Sequence, residues 1–305
     1  MKKLMFRNFL VAALAGMTLA VCATHAVAAA GVAPPHVKVT WLGGPTVVME
    51  FNGLKILTDP MLGEGASAFT MGDPNEMFDL NKGPRTTSFR RLTPFPGVAL
   101  KEIGLVVFSH VHEDHFDQVA QARIDRAIRV ILPPADFDKL KGMGFNKADS
   151  LPWGASRMFD AGAGHVTITA VPARHSENPA MDKILGVGNG YWFKFSQGEW
   201  QRTVYWTGDS FPTIDVINAV KRLGRPDVMI PHLGGVGTTG ALGQVSMGAR
   251  QVLAFASAVS PRKVLPIHHS TYSLYLEPIS VLAGESIGKP FGLDLISEGT
   301  TVQYD

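Results

Sequence analysis

The sequence predicts one folded domain of the α/β class, and three observations lead to this prediction. The chain of 305 residues is 46% hydrophobic and 18% charged, which provides material for a large core and excludes a disordered chain. Strand-like and helix-like segments alternate unevenly along it. No linker rich in Pro and Ser and no internal repeat divides the sequence, so a single domain over residues 31–305 is the simplest organisation.

The first thirty residues predict a secretory signal peptide. Three basic residues open residues 1–30, an apolar run covers 9–21, and small residues offer a cleavage site near Ala28–Ala30. The apolar run is short for a bilayer span, which needs roughly 20 residues. We therefore expect a periplasmic or secreted protein with no membrane span in the mature chain. The alternatives are an uncleaved anchor and lipidation of Cys22.

Charge and cysteine content limit the chemistry of the mature chain. Three of the 28 basic residues and none of the 26 acidic residues lie in residues 1–30, which leaves 25 basic against 26 acidic residues and a formal charge of −1. This balance predicts no nucleic-acid partner. The single cysteine, Cys22, lies in the predicted signal peptide, so disulfides and thiolate ligands are excluded. Any metal site must use nitrogen and oxygen ligands.

In the N-terminal half, alternating or continuous apolar runs predict strands, and Asn52-Gly53 predicts the turn of a β-hairpin. Asp117 is expected to cap a helix running to about residue 128, and Pro133-Pro134 to open another that ends near residue 143. The predicted strands of this half are 36–41, 47–51, 54–57, 103–109 and 129–132.

The C-terminal half predicts strands that alternate with two amphipathic helices, at 214–223 and 247–258. The predicted strands of this half are 165–171, 191–195, 203–206, 227–230 and 263–267.

Residues 63–97, called here the 63–97 segment, are rich in Gly, Pro, Ser and Thr and show no period. We predict a long loop, and loops of this length in a domain are often functional. One hypothesis is a lid over the site, and an ordinary surface excursion is the alternative. The apolar contacts of such a lid would be Phe69, Met71, Met77, Phe78 and Phe89.

Three histidines fall within residues 110–115, His-Val-His-Glu-Asp-His, called here the histidine motif. It follows an apolar strand, and loops at such strand ends are common active sites. In an extended segment, residues two apart point the same way, so His110 and His112 can meet one ion. Asp114 and His115 lie further on and can address a second ion. A solvated polar loop is the alternative interpretation.

The histidine motif resembles that of the metallo-β-lactamase fold superfamily. Three further motifs follow predicted strands in the family's order: Ala173-Arg174-His175, Thr207-Gly208-Asp209-Ser210 and Pro266-Ile267-His268. The resemblance covers nearly all of the mature chain and implies a four-layer αββα sandwich of two mixed β-sheets flanked by helices. Residues 57–60, 83–85 and 206–209 are most similar to the branch of L-ascorbate-6-phosphate lactonase-like and N-acyl-phosphatidylethanolamine phospholipase D-like proteins.

The resemblance also implies a set of metal ligands. Five neutral imidazoles and two carboxylates would leave two divalent ions with a net charge of +2. Imidazole and carboxylate suit Zn²⁺, which we expect, and also Mn²⁺ or Fe²⁺. The implied ligands are His110, His112 and His175 for the first ion, Asp114, His115 and His268 for the second, and Asp209 as the bridge.

The expected activity is that of a binuclear metal-dependent hydrolase. Two ions can share a bridging hydroxide as nucleophile, and we expect it to cleave an ester, lactone or phosphodiester bond. Asp114 is the candidate catalytic residue, which orients the hydroxide and passes a proton to the leaving group. The alternatives are an iron-dependent redox enzyme of the same fold, a β-lactam hydrolase and a metal-stabilised binding protein.

Three further residues are candidates for substrate contact, and a small-molecule or lipid-like substrate is expected. Arg174, beside His175, can pair with an anionic group, with an outward structural ion pair as the alternative. His232 follows a predicted strand and can reach the rim of the site or serve as an ordinary loop residue. His269 competes with His268 as ligand, and the Pro-x-His pattern favours His268, leaving His269 beside the site.

Overall fold

Two seven-stranded mixed sheets lie at the centre of the computed structural model, which describes residues 34–305. The predicted signal peptide, residues 1–30, lies outside the described residues. Within residues 34–305, no helix is both long and apolar enough to cross a bilayer. The strands in chain order are β1 (Val37–Gly43), β2 (Thr46–Phe51), β3 (Leu54–Thr58), β4 (Phe69–Gly72), β5 (Thr86–Phe89), β6 (Leu105–Val107), β7 (Arg129–Leu132), β8 (Ala148–Ser150), β9 (Ser156–Ala161), β10 (Gly164–Ala173), β11 (Gly188–Gln197), β12 (Trp200–Trp206), β13 (Val228–Ile230), β14 (Lys263–Val264), β15 (Gly292–Leu293) and β16 (Thr301–Tyr304).

Each large sheet has an antiparallel half and a parallel half. The first has the order β16-β1-β2-β3-β6-β7-β8, antiparallel as far as β3 and parallel from β3 to β8. The second has the order β9-β10-β11-β12-β13-β14-β15, antiparallel as far as β12 and parallel beyond it. The two sheets therefore share one pattern of antiparallel and parallel strand pairs, although the sequence shows no internal repeat.

Helices cover the outer face of each sheet and complete four layers. Apolar side chains of both sheets, such as Val107 and Phe193, meet in the core between them. A second core lies under the helices on the first sheet and a third under those on the second. The expected αββα sandwich is thus confirmed. The helices are α1 (Gln118–Arg123), α2 (Phe137–Gly142), α3 (Asp182–Leu185), α4 (Ile214–Leu223), α5 (Ala249–Val259) and α6 (Ile279–Glu285).

The predicted hairpin at Asn52-Gly53 is confirmed. Residues Phe51 and Leu54 pair across the turn, and φ is positive at both Asn52 (46°) and Gly53 (87°). A two-residue turn with positive φ at both positions matches the twist of the flanking strands, and Asn-Gly adopts it with little strain. This turn fixes the register of β2 and β3, and β3 leads into the site.

Several boundaries differ from the sequence prediction. The helix capped by Asp117 ends at Arg123 rather than near residue 128, because Ile124 takes an extended backbone and buries its side chain in the core. The predicted strand 263–267 forms a ladder only at Lys263–Val264. Six short elements were not predicted because two to seven residues carry too little periodicity. These elements are β8, β9, β15, β16, α3 and α6.

The 63–97 segment is not a structureless loop, because β4 and β5 pair within it as a small antiparallel sheet. Phe69 and Phe89 stack on each other with ring centroids 5.1 Å apart, and Phe69 meets Tyr272 edge-on at 5.2 Å. Both phenylalanines are therefore buried core residues and not contacts of a lid. Met77, a third predicted contact, is 78% exposed.

Asp117 ties the start of the 63–97 segment to helix α1. Its buried carboxylate accepts hydrogen bonds from the backbone N–H groups of Leu62 (2.7 Å), Gly63 (2.6 Å) and Ala120 (2.6 Å). The bond from Ala120 is the predicted N-cap. One side chain thus holds two chain segments together directly after the histidine motif.

Replacing Asp117 with alanine is expected to lower the free energy of unfolding by about 3 kcal/mol, since three buried N–H groups lose their acceptor at about 1 kcal/mol or more each. Urea denaturation followed by circular dichroism measures this loss. The control is Asp125→Ala, because the Asp125 carboxylate accepts an exposed bond from Ala127 N–H. Its expected loss is below about 0.5 kcal/mol. Equal losses of unfolding free energy in the two variants would contradict the proposed role of Asp117 in joining the 63–97 segment to α1.

Candidate metal centre

Six strands end at one edge of the sandwich, and a polar side chain follows each of them closely. The strands are β3, β6, β10, β12, β13 and β14, and in all six loops that side chain is buried with little or no exposure. Loops at the carboxyl ends of such strands form ligand sites in α/β proteins. The six side chains that open the site are Asp59, His110, His175, Asp209, His232 and His268.

The first donor group consists of His110, His112 and His175. One potential ligand atom from each lies within 4.8 Å of the others. The Nε2 atoms of His110 and His175 are 3.2 Å apart, and the His110 and His112 rings meet edge-on with centroids 4.4 Å apart. The structure therefore brings together the three imidazoles predicted for one ion.

The second donor group consists of Asp114, His115, Asp209 and His268, whose ligand atoms also lie within 4.8 Å of one another. His115 Nε2 is 3.4 Å from Asp209 Oδ1 and 4.0 Å from Asp114 Oδ2. His268 Nε2 lies 3.9 Å from Asp209 Oδ1 and 4.0 Å from Asp114 Oδ2. The four residues predicted around a second ion are thus assembled in the interior.

Burial keeps most of the imidazoles neutral. It lowers the pKa of His175 and of His268 to about 3, and that of His110 well below its ordinary value, with neighbouring histidines lowering the pKa of each further. Neutral imidazole is the form that ligates a metal ion. The imidazoles of His110, His175 and His268 are therefore in the required protonation state at neutral pH.

The carboxylate of Asp209 organises the charge of the centre. Burial opposes its ionisation, but the imidazoles of His268 and His115 outweigh burial and hold the pKa of Asp209 well below the ordinary range. Burial likewise opposes a charge on His115, but Asp209 and Asp59 hold its pKa well above the ordinary value. Negative charge is therefore built into the centre and favours a positive partner.

The residues present fit bound metal ions. The Nε2 atoms of His115 and His268 are buried and have no hydrogen-bond partner within residues 34–305. Buried polar atoms are nearly always paired, so such orphaned nitrogens call for a partner. Nitrogen and carboxylate oxygen without thiolate match the expected Zn²⁺, Mn²⁺ or Fe²⁺. The donors converge on a shared space, as metal ligands do.

Comparison with known families agrees with this geometry. The family model for the beta-lactamase superfamily domain matches residues 38–268, which span all seven donors. The chain belongs to the metallo-β-lactamase superfamily. Family membership and the His/Asp donor groups together make it a metal-dependent hydrolase.

Several proteins named as hydrolases are similar to the chain. The chain is 25% identical over 253 residues to an N-acyl-phosphatidylethanolamine-hydrolyzing phospholipase D of Caenorhabditis elegans, covering 78% of this chain and 67% of that one. It is 27% identical to a metal-dependent hydrolase of Archaeoglobus fulgidus, covering 78% and 85%. The crystal structure of an isothiocyanate hydrolase from Delia radicum gut bacteria shares the fold, with a TM-score of 0.70, 21% identity and coverage of 87% and 98%.

Asp59 belongs to the centre although sequence analysis did not assign it a role. Its buried carboxylate accepts hydrogen bonds from Ser109 N–H (2.8 Å), Ser109 Oγ–H (2.5 Å) and His115 Nδ1–H (2.7 Å). The bond from Nδ1 leaves His115 Nε2 free to face Asp209 and Asp114. In metalloproteins of many kinds, such a carboxylate fixes the tautomer and orientation of a ligating histidine. Its position directly after β3, in residues 57–60, was the available signal.

Of the two adjacent histidines, His268 belongs to the second donor group and His269 does not. His268 donates its Nδ1–H to the Leu233 carbonyl at 2.8 Å, which directs Nε2 to the carboxylates. The His269 ring packs on Trp41 with centroids 4.7 Å apart. Its Nδ1 bonds Ser270 Oγ, and its Nε2 bonds a backbone carbonyl. The preference for His268 matches this geometry, whereas both ring nitrogens of His269 are engaged away from the donor groups.

Arg174 does not point to a substrate. Its guanidinium pairs with Asp182 and with Asp215 (2.9 Å) and lies over the Trp153 ring at 5.1 Å. The prediction of an anion contact is therefore replaced by the structural alternative, in which Arg174 holds α3 and α4 beside the site. A residue at a strand end can reach carboxylates on either side, and sequence alone does not specify which.

His232 lies behind the centre and not at its rim. It is fully buried, and its Nδ1–H donates to Asp209 Oδ1 at 3.0 Å. Its ring stacks on His268 with an interplanar angle of 8°. His232 therefore orients the central carboxylate of Asp209 and makes no contact with the cavity.

A cavity of about 250 Å³ opens over the donor groups. His112, Asp114, His175 and Asp209 form its floor, and Met71 and Phe78 of the 63–97 segment line one wall. Two of the five predicted lid contacts are therefore placed as expected. The floor gives solutes direct access to both donor groups.

Replacing Asp59 with asparagine is expected to weaken metal binding about 10- to 100-fold, because loss of a supporting carboxylate has that effect on ligating histidines. Competition with a chromophoric chelator measures the affinity. Asp160→Asn, an exposed change on β9, is the matched control. An Asp59→Asn affinity equal to that of the control would show that Asp59 does not support the ligand.

Proposed function

We propose that the protein is a binuclear hydrolase that cleaves an ester, lactone or phosphodiester bond. One observation carries the proposal: two donor groups lie side by side, with buried unpartnered nitrogens and the Asp209 carboxylate among them. In this proposal His110, His112 and His175 would hold one ion, Asp114, His115 and His268 would hold the other, and the Asp209 carboxylate would serve both. Zn²⁺ is the expected metal, with Mn²⁺ or Fe²⁺ as alternatives.

Bound divalent ions supply an activated water as nucleophile near neutral pH, lowering its pKa from about 15.7 towards 7. The chain's own residues supply the rest. Burial raises the pKa of Asp114, with Asp209 adding to the shift and His115 opposing it. Asp114 also lies on the floor of the cavity. It is therefore suited to accept a proton and return it to the leaving oxygen.

The named relatives support hydrolysis but differ in the bond they cleave. One is named for a phospholipid and another for isothiocyanates. One fold therefore hosts several hydrolytic reactions, and the site decides between them. A redox reaction would require iron, so an active protein that contains Zn²⁺ or Mn²⁺ and no iron would exclude that alternative.

Metal removal is expected to abolish hydrolysis reversibly. We expect the chelated protein to lose activity on a panel of p-nitrophenyl esters, a chromogenic lactone and bis-p-nitrophenyl phosphate, and Zn²⁺ or Mn²⁺ to restore it. Elemental analysis of the active protein should give about two metal ions per chain, as in two-metal sites. One ion per chain at full activity would contradict the binuclear proposal, and hydrolysis that survives chelation would contradict metal dependence.

Asp114→Asn is expected to lower kcat about 10²- to 10⁴-fold, the usual contribution of a positioned acid or base. The metal at the three-histidine group should remain, since Asp114 is not one of its donors. His110→Ala, as comparison, should lose that metal together with activity. An Asp114→Asn protein that holds its metal and turns over at the wild-type rate would refute the proton-transfer role.

We also propose that the protein is exported to the periplasm or secreted, with cleavage near Ala28–Ala30. The basic start, the apolar run and the small residues before Gly31 support this proposal. Mass spectrometry of the protein from cell fractions is expected to find a mature N-terminus at residue 29, 30 or 31. An intact Met1 in the cytosolic fraction would contradict export, and a lipid-modified Cys22 would replace soluble release with anchoring.

A further inference from the structure

We propose that the cavity over the donor groups binds an uncharged apolar group of the substrate, next to the bond that is cleaved. The substrate is then a neutral ester or lactone with an aliphatic or aryl substituent, not a molecule carrying a second anionic group such as a sugar phosphate. This inference rests on the proposed function, because it assigns a substrate class to the same site.

The walls of the cavity are apolar on three sides. Leu80 belongs to the 63–97 segment, Ile184 and Leu185 to helix α3, and Val236 and Val245 to the chain between β13 and α5. Leu80 and Ile184 are 55% and 53% exposed, although both are large and aliphatic. Exposed aliphatic side chains that gather around a concave site mark a surface for an apolar ligand.

The charges around the cavity also favour an uncharged substrate group. Among the described residues that line it, the charged side chains are Glu113, Asp114 and Asp209, and none is a lysine or arginine. Arg174, the predicted anion contact, is paired with Asp182 and Asp215. Metal ions at the floor can accept the reacting group, but beyond them an anion would meet Glu113 and no cation. A second anionic group on the substrate is therefore unfavourable.

Hydrogen bonds and packing within the chain hold the apolar walls together. Asn75 of the 63–97 segment accepts a hydrogen bond from Gly237 N–H at 2.7 Å and donates to the Leu274 carbonyl at 2.8 Å. The Asn75 carbonyl accepts from Thr239 Oγ–H at 2.8 Å. Met71 and Leu185 pack on the same buried cluster that contains Phe69 and Tyr272. The cavity is preformed, so little ordering is required when an apolar group enters.

The size of the cavity limits the group to one of modest length. Its volume of about 250 Å³ lies just below the roughly 300–1,000 Å³ of typical small-molecule sites. A short acyl chain or a single ring fills such a space. The part of the substrate beyond this group would extend past Leu80 and Ile184 into solvent.

The test uses p-nitrophenyl acetate, butyrate and hexanoate with the metal-loaded enzyme. Burial of each methylene is expected to raise kcat/KM about fourfold until the cavity is full. Mono-p-nitrophenyl succinate, close to the butyrate in length but with a terminal carboxylate, should react at least about tenfold more slowly than the butyrate. A flat chain-length profile, or equal rates for succinate and butyrate, overturns the inference.

Two variants locate the effect. Leu80→Asp and Ile184→Asp change exposed positions, so folding should be retained, and each is expected to raise KM for the hexanoate about tenfold or more with kcat little changed. Ile287→Asp, at a side chain that is 83% exposed and outside the cavity lining, is the matched control. KM values in both cavity variants equal to that of Ile287→Asp would overturn the assignment.

A binding measurement separates failure of this inference from failure of the proposed function. The neutral fluorophore N-phenyl-1-naphthylamine is titrated into metal-loaded and metal-depleted protein. Binding to both forms, weakened about tenfold in Leu80→Asp and Ile184→Asp but not in Ile287→Asp, supports the apolar subsite even if no ester is hydrolysed. Unchanged binding in both cavity variants overturns the inference whether or not the enzyme cleaves esters.

Discussion

The structure depends on the burial of the Asp209 carboxylate among imidazoles at the meeting point of two sheets. An ionised carboxylate in the interior is strongly unfavourable unless it is paired and hydrogen-bonded. His232 donates to Asp209 Oδ1 at 3.0 Å, and His115 and His268 direct Nε2 atoms at the same oxygen from 3.4 and 3.9 Å. Positive charge in this space is therefore a requirement of the folded chain and also the basis of its chemistry.

The hydrogen bonds around the donors serve this requirement. Asp59 holds His115 through Nδ1, and the Leu233 carbonyl holds His268 through the same atom of its ring. Both bonds direct Nε2 to the centre and fix the orientation of each ring. These supporting groups come from the loops after β3 and after β13, so the centre is coupled to the first and second sheets at once. Metal binding and stability of the sandwich are linked for this reason.

The donors and the fold class could be predicted from the sequence, but the groups that orient the donors could not. The histidine motif is local, since six consecutive residues supply four donors, and each remaining donor follows a strand whose apolar pattern is visible. Asp59 could not be assigned in the same way, because its partner His115 is 56 positions away and only the parallel pairing of β3 with β6 brings them together. The same limit applies to Arg174, whose partners Asp182 and Asp215 lie on separate helices. The end of a predicted strand indicates where a side chain lies, whereas its hydrogen-bond and ion-pair partners depend on tertiary packing.

The metal donors and the cavity walls come from different parts of the fold. The donors follow strands of the two sheets, whose register is fixed by paired backbone and a shared core. The cavity walls come from the 63–97 segment, from α3 and from the chain before α5, all of them connections between strands. Connections tolerate change because they contribute little to the central core. The sheets thus position the metal donors, whereas the loops determine which substrate group fits in the cavity beside them. Hydrogen bonds of Asn75 join two of these loops into one surface.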